Sequence, residues 1–211
     1  MSSLRSPLEM LEGKRLLIFD FDGTLADTSP LHAAAFHETL SPLGLSVHYP
    51  DIAGLRTGEA MRAALGRAGH PFGDEDIAGL AAGKQRLVRR LISQALEPLP
   101  GVDSFLHWAR CRYRLAIYSS GSRVTLDLAL NKLGYCGWFD PLISGDDVTK
   151  AKPAPEGFLR VLALSQIHCQ EAVVFEDSEA GIRAAQLAGL DVIDVRIADF
   201  SILCECIDIG K

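Results

Sequence analysis

Four apolar residues in a row, Leu16 to Phe19, stand between a basic pair and an aspartate. A continuous apolar run of that length with turn signals behind it predicts a β-strand buried on both faces. Runs of the same kind recur in "RLAIYSSG" (Arg114 to Gly121), "PLISG" (Pro141 to Gly145), "AVVFEDS" (Ala172 to Ser178) and "DVIDV" (Asp191 to Val195). Between them lie segments with helical periodicity: "GVDSFLHWARC", "RVTLDLALNKLG", "APEGFLRVLALSQ" and "SEAGIRAAQLAG". Strand followed by helix, repeated, predicts βαβ units and an α/β fold built on a parallel sheet with helices on both faces.

The alternation is broken once. From Ser29 to Leu99 no strand pattern occurs, only helical stretches such as "LHAAAFHETLSPLG", "TGEAMRAALGRAG" and "DEDIAGLAAGKQRLVRRLISQAL". Pro30 on one side and "EPLPGV" on the other bound this all-helical insert. The expected organisation is therefore a catalytic core from residues 1–28 and 100–211 with a helical cap at 29–99. In an open parallel sheet ligands bind outside the carboxyl ends of the strands, so an insert leaving directly after the first strand is expected to act as a lid.

Composition narrows the function classes. At 211 residues, 48% hydrophobic and 23% charged, the chain is an ordinary globular one, long enough for one domain with a smaller insert. A net charge of -6 and a pI near 5.5 give no electrostatic footprint for nucleic acid. Five cysteines, Cys111, Cys136, Cys169, Cys204 and Cys206, fit neither a disulfide scaffold nor paired zinc knuckles, and read as reduced thiols of a cytoplasmic protein. Cys204 and Cys206 read as part of a short apolar tail. No window has the apolar length of a membrane span, and the amino-terminal stretch lacks the apolar core of an export signal. Nothing in the sequence specifies an oligomeric state.

Chemistry concentrates at the strand tips. The first strand ends in Asp20-Phe21-Asp22-Gly23-Thr24, the second in Ser119-Ser120-Gly121, and the one before "SEAGI" in Glu176-Asp177-Ser178, while Lys152 lies between in "KAKPAPEGF". Singly, each has an ordinary structural use: paired aspartates cap helices, Ser-Ser-Gly makes turns, and Glu-Asp-Ser opens a helix. Together, in this order and all at one sheet edge, they suit phosphoryl transfer through a covalent aspartyl phosphate. Asp20 is the expected nucleophile and Asp22 the expected acid and base. Ser119, Ser120 and Lys152 are expected on the phosphate, and a magnesium ion, which prefers hard oxygens, on Asp20, Asp22, Glu176 and Asp177.

These residues resemble the haloacid dehalogenase superfamily in its branch with a small helical cap. "DFDGTLADT" is similar to its first motif, Ser119 to its second, Lys152 in "KPAPEGF" to its third and "FEDSEAGI" to its fourth, over a span from Lys14 to about Arg196. The resemblance implies a Rossmann-like core, a Mg2+-dependent aspartyl-phosphate mechanism and the backbone carbonyl of Asp22 as a further metal ligand. Within the superfamily the chain looks most like β-phosphoglucomutases and sugar-phosphate phosphatases of the fructose-1-phosphate phosphatase type. Thr28 and His32 in "DTSPLH" match positions that link the cap to the acid/base aspartate, and Lys84 resembles a cap lysine near the substrate. Where the mutase cap carries a phosphate-gripping arginine, this chain reads Gly54-Leu55-Arg56-Thr57, with Arg56 one place early. The expectation is thus a phosphatase of small phosphorylated metabolites, with sugar phosphates as the leading class. The alternatives are a hexose-phosphate mutase, a metal-free dehalogenase and a non-catalytic phosphoester-binding protein.

Overall fold

The computed structural model describes residues 6–52, 55–69 and 72–207; Gly54 and His70 lie outside the described residues. The chain divides into two compact units, one formed by Met1–Asp27 with Glu97–Lys211 and the other by Thr28–Leu96.

The first unit is an α/β sheet domain. Five strands, β1 (Leu16–Phe19), β2 (Arg114–Tyr118), β3 (Leu142–Ile143), β4 (Ala172–Glu176) and β5 (Asp191–Asp194), pair in the order β3-β2-β1-β4-β5. Every pairing is parallel. Strand β1 is central, with Leu16 opposite both Arg114 and Ala172, and all four of its residues are fully buried. Because successive side chains alternate, Leu16 and Ile18 join a cluster with Tyr118, Phe158, Val161 and Ala184. Phe19 instead meets Phe105, Phe139, Phe175 and Phe200. Burial on both faces is the physical reason the strands read as unbroken apolar runs.

The helices of this unit are α1 (Pro7–Leu11), α5 (Val102–Ala109), α6 (Arg123–Leu133), α7 (Glu156–Ser165), α8 (Glu179–Leu187) and α9 (Phe200–Cys206). The last corrects the reading of Cys204 and Cys206 as part of a tail. Asp199 caps α9 by accepting from the Ile202 amide, and Phe200 and Leu203 are buried, so two apolar anchors hold a helix too short to show a period. Gly101 at φ 78° permits this packing, since a Cβ there would collide with the backbone of Phe200 and Ser201.

The second unit is all-helical: α2 (Ser29–Leu40), α3 (Thr57–Arg67) and α4 (Asp74–Ala95), with 3-10 turns at Ser41–Leu43 and Tyr49–Asp51. Its own core gathers Phe36, Leu40, Ile52, Met61, Leu65 and Ile77. On the sheet-unit side of the division, Ala26 bridges Pro98 and the Leu25 carbonyl accepts from the Leu99 amide. Residues 97–99 therefore belong with the sheet, and Thr28 with the helices. Among the described residues no helix is long and apolar enough to cross a membrane.

Candidate active site

The backbone ladder runs one residue past the strands and delivers the polar tips. The Asp20 amide donates to the Phe175 carbonyl at 3.0 Å, and the Ser119 amide donates to Ile143 at 3.0 Å. Asp20 and Glu176 are therefore set side by side on neighbouring strands.

Lys152 closes the arrangement. Its ammonium donates to Asp20 Oδ1 at 2.6 Å and to Glu176 Oε2 at 2.7 Å, with its side chain 5% exposed. The rings of Tyr118 and Phe158 lie under the ammonium, with centroids 4.9 and 5.6 Å away. The other Glu176 oxygen accepts from the Ser178 hydroxyl at 2.8 Å and the Ser178 amide at 3.1 Å. Asp177 accepts from the Thr24 hydroxyl at 3.2 Å. Asp22 accepts from Ser119 Oγ at 3.3 Å, and Ser119 Oγ in turn accepts from the Gly121 amide at 3.0 Å. Ser120, the neighbouring phosphate-site candidate, is half-buried.

Two glycines make room for the acids. A Cβ on Gly23, which sits at φ 87°, would strike the Asp177 carboxylate, and one on Gly181 would strike that of Glu176.

Negative charge exceeds positive here. Asp20, Glu176 and Asp177 each offer an oxygen, all within 4.8 Å of one another, and among the described residues Lys152 is the cation that bonds the first two. Burial, and then the Glu176 charge, push the Asp20 carboxyl well above the ordinary range, with Lys152 acting against them. Burial and Glu176 likewise raise Asp177 to about 6. Burial pulls the Lys152 ammonium down, but Asp20 and Glu176 outweigh it and the net direction is up. Three hard oxygen donors, incompletely neutralised, suit a divalent cation such as Mg2+.

Sequence reasoning missed three supporting groups. Thr24 and Ser178 steer Asp177 and Glu176, and the signal was their place beside the acids. Glu156 accepts from the Thr149 and Lys150 amides at 2.7 and 2.8 Å, folding the loop that carries Lys152. Sequence spacing alone does not reveal such a backbone clasp.

Of the candidates in the helical unit, His32 and Lys84 are brought together. Lys84 is 1% exposed, its Nζ is 2.8 Å from His32 Nδ1, and it lies 4.6 Å from the Phe36 ring centroid. An ammonium has only hydrogens to give, so a charged Lys84 donates to Nδ1. Thr28 is buried at the start of α2, and its carbonyl accepts from the His32 amide at 2.9 Å. Arg56 is exposed and precedes α3.

Residues 17–195 match the family model described as haloacid dehalogenase-like hydrolase. Fructose-1-phosphate phosphatase YqaB of Escherichia coli is 35% identical over 181 residues, covering 86% of this chain and 96% of that protein. The phosphorylated carbohydrates phosphatase of Thermotoga maritima is 32% identical over 187 residues, covering 84% and 82%. Among solved structures, CbbY from Rhodobacter sphaeroides in complex with xylulose-(1,5)bisphosphate superposes with a TM-score of 0.75 at 29% identity, covering 86% and 85%.

Proposed function

The chain belongs to the haloacid dehalogenase-like hydrolases and is a phosphoric monoester hydrolase, and on that premise we propose that it hydrolyses sugar phosphates through an aspartyl phosphate on Asp20. The observation that carries this reading is the Asp20 carboxylate held at the tip of β1 by Lys152 at 2.6 Å, with a second carboxylate, Asp22, two residues on and tethered by Ser119.

An Asp20 oxygen attacks phosphorus, and the P–O bond to the sugar breaks as the new one forms. Asp22 gives its proton to the departing alkoxide, so that a neutral alcohol leaves. The same carboxylate then takes a proton from water, whose oxygen attacks phosphorus and releases Asp20 and inorganic phosphate. Lys152, Ser119 and Ser120 bind the phosphoryl oxygens, and the ammonium offsets repulsion between nucleophile and ester. Asp20, Asp177 and Glu176, with the Asp22 carbonyl, would hold Mg2+, which when bound supplies further positive charge to the phosphoryl group. His32, Lys84, Arg56 and Thr28 are proposed to discriminate among sugars. The names of the two phosphatase relatives support sugar phosphates as the class, and the five free cysteines fit a cytoplasmic enzyme.

The test is product analysis on a panel that includes fructose 1-phosphate, with and without Mg2+. Stoichiometric inorganic phosphate supports the reading. Isomerised phosphosugar with little phosphate would replace it with a mutase, and tight binding without turnover with a binding protein.

A further inference from the structure

At the amino ends of the strands the sheet unit has a second concentration of charge, of opposite sign. An open surface cavity of about 340 Å³ is lined by Lys14, Arg15, Arg110, Arg112 and Arg114, together with Cys111 and Tyr113, and no carboxylate is among these described lining residues. We propose that this cavity binds an oligophosphate anion, free or as the phosphate tail of a nucleotide.

The backbone fixes the cations in place. Arg15 donates its amide to the Glu171 carbonyl at 2.7 Å and accepts from the Arg114 amide at 2.9 Å, so Arg15 and Arg114 are set by the ladder itself. Arg110, Arg112 and Tyr113 follow from the end of α5, where the Arg112 and Tyr113 amides both donate to the Ala109 carbonyl at 2.9 Å.

Two of the five charges are already matched. Lys14 pairs with Asp191 at 2.8 Å, and Arg15 with Glu171 at 3.0 Å. The three others meet only uncharged groups among the described residues. Arg114 donates to the Ser165 carbonyl at 2.8 Å, Arg112 donates to the Trp108 carbonyl at 3.0 Å, and Arg110 lies 4.3 Å from the Trp138 ring centroid. One hydrogen bond leaves most of a guanidinium's five donors available.

Guanidiniums cap helix carboxyl ends, and Arg112 does so here. Arg114, which belongs to a strand, does the same for α7 through the Ser165 carbonyl, and each of these caps spends one guanidinium donor. A chain with a net charge of -6 that gathers three unmatched guanidiniums around one cavity holds a local field suited to a multiply charged anion. Arginine forks match phosphate oxygens in pairs, so several linked phosphates fit better than one.

A built-in reporter makes this testable. The chain has two tryptophans, Trp108 and Trp138, and they lie beneath Arg112 and Arg110, 4.9 and 4.3 Å from guanidinium to ring centroid. Tripolyphosphate is titrated into the whole protein with EDTA present, following tryptophan fluorescence and, independently, calorimetric heat, against sodium chloride at matched ionic strength. A saturable response is expected for tripolyphosphate only, and ATP should compete for it. Arg110→Gln with Arg112→Gln should weaken binding by about 10-fold or more, and Arg15→Gln by about 3-fold, since each removes a fork from the field. Hydrolysis of p-nitrophenyl phosphate should be unchanged in both variants, which verifies that they fold. No saturable response, or the same affinity in wild type and both variants, overturns the proposal.

Discussion

At the carboxyl ends of β1 and β4 three carboxylates cluster and one lysine bonds two of them, while at the amino ends of β1 and β2 three guanidiniums pair with no carboxylate among the described residues. The same hydrogen-bond ladder places Asp20 at one edge and Arg15 and Arg114 at the other, so a parallel sheet separates two electrostatic environments by no more than the length of its strands. Each edge also holds a lysine whose side chain is 5% exposed and shared between two oxygens: Lys152 between Asp20 and Glu176, Lys14 between Asp191 and the Gln170 carbonyl. The lysines are alike in burial and contacts but differ in their neighbours. Lys152 stands among carboxylates that outnumber it, and Lys14 where one carboxylate balances it.

The largest expected effect lies at the acidic edge. Asp20→Asn keeps the volume but removes the attacking oxygen anion, and turnover should fall by about 10³-fold or more. Measurable activity near wild type, assayed as phosphate release, would move the nucleophile elsewhere.

Next comes the same substitution at both edges. Lys152→Met leaves Asp20 and Glu176 facing each other without a cation, which should cost about 3 kcal/mol at neutral pH as well as most activity. Lys14→Met leaves a half-exposed Asp191 and should cost about 1 kcal/mol with activity intact. Urea denaturation and p-nitrophenyl phosphate assays on the pair decide this, and equal loss of activity in both would erase the distinction between the edges.

A smaller effect separates the edges by pH. Asp177 has its carboxyl raised from 3.8 to about 6 in the folded protein, so the fold favours its protonated form. That contribution to the metal-free protein is complete below about pH 4 and lost as the pH rises through about 6. Protons and Mg2+ then compete for the same oxygens, and the rise in Tm on adding Mg2+ should be greater at about pH 7.5 than at about pH 5. An equal rise at both would place the metal on other groups.

The smallest effect concerns Tyr118, whose buried hydroxyl makes no hydrogen bond within 3.5 Å among the described residues and whose ring lies under the Lys152 ammonium. Tyr118→Phe keeps the ring under the ammonium and should leave stability within about 1 kcal/mol of wild type by urea denaturation. A larger loss would show that the hydroxyl supports the acidic edge.

The acidic edge was legible in the sequence and the basic edge was not. Asp20, Asp22, Glu176 and Asp177 each follow an apolar run, and a strand buried on both faces converts such a run into an address for the next residue. Arg110, Arg112 and Arg114 alternate with Cys111 and Tyr113 across a helix end and a strand start, and a net charge of -6 averages them away. Helix α9 was read as a tail because its anchors, Phe200 and Leu203, are buried only in the folded chain, Phe200 against rings far away in the sequence. The clasp of Glu156 on the Thr149 and Lys150 amides was hidden for a related reason: a loop's backbone hydrogen bonds leave no periodic trace.

The central position of β1 sets a timetable for synthesis. The first strand to be made finds one neighbour only when Arg114 to Tyr118 have emerged, and the other only when Ala172 to Glu176 have. Lys152, which bonds Asp20, and Glu176, which shares that lysine, are likewise late. A growing chain therefore carries its proposed nucleophile for most of its synthesis without the groups that surround it in the fold, and completes the acidic edge only as its later strands arrive.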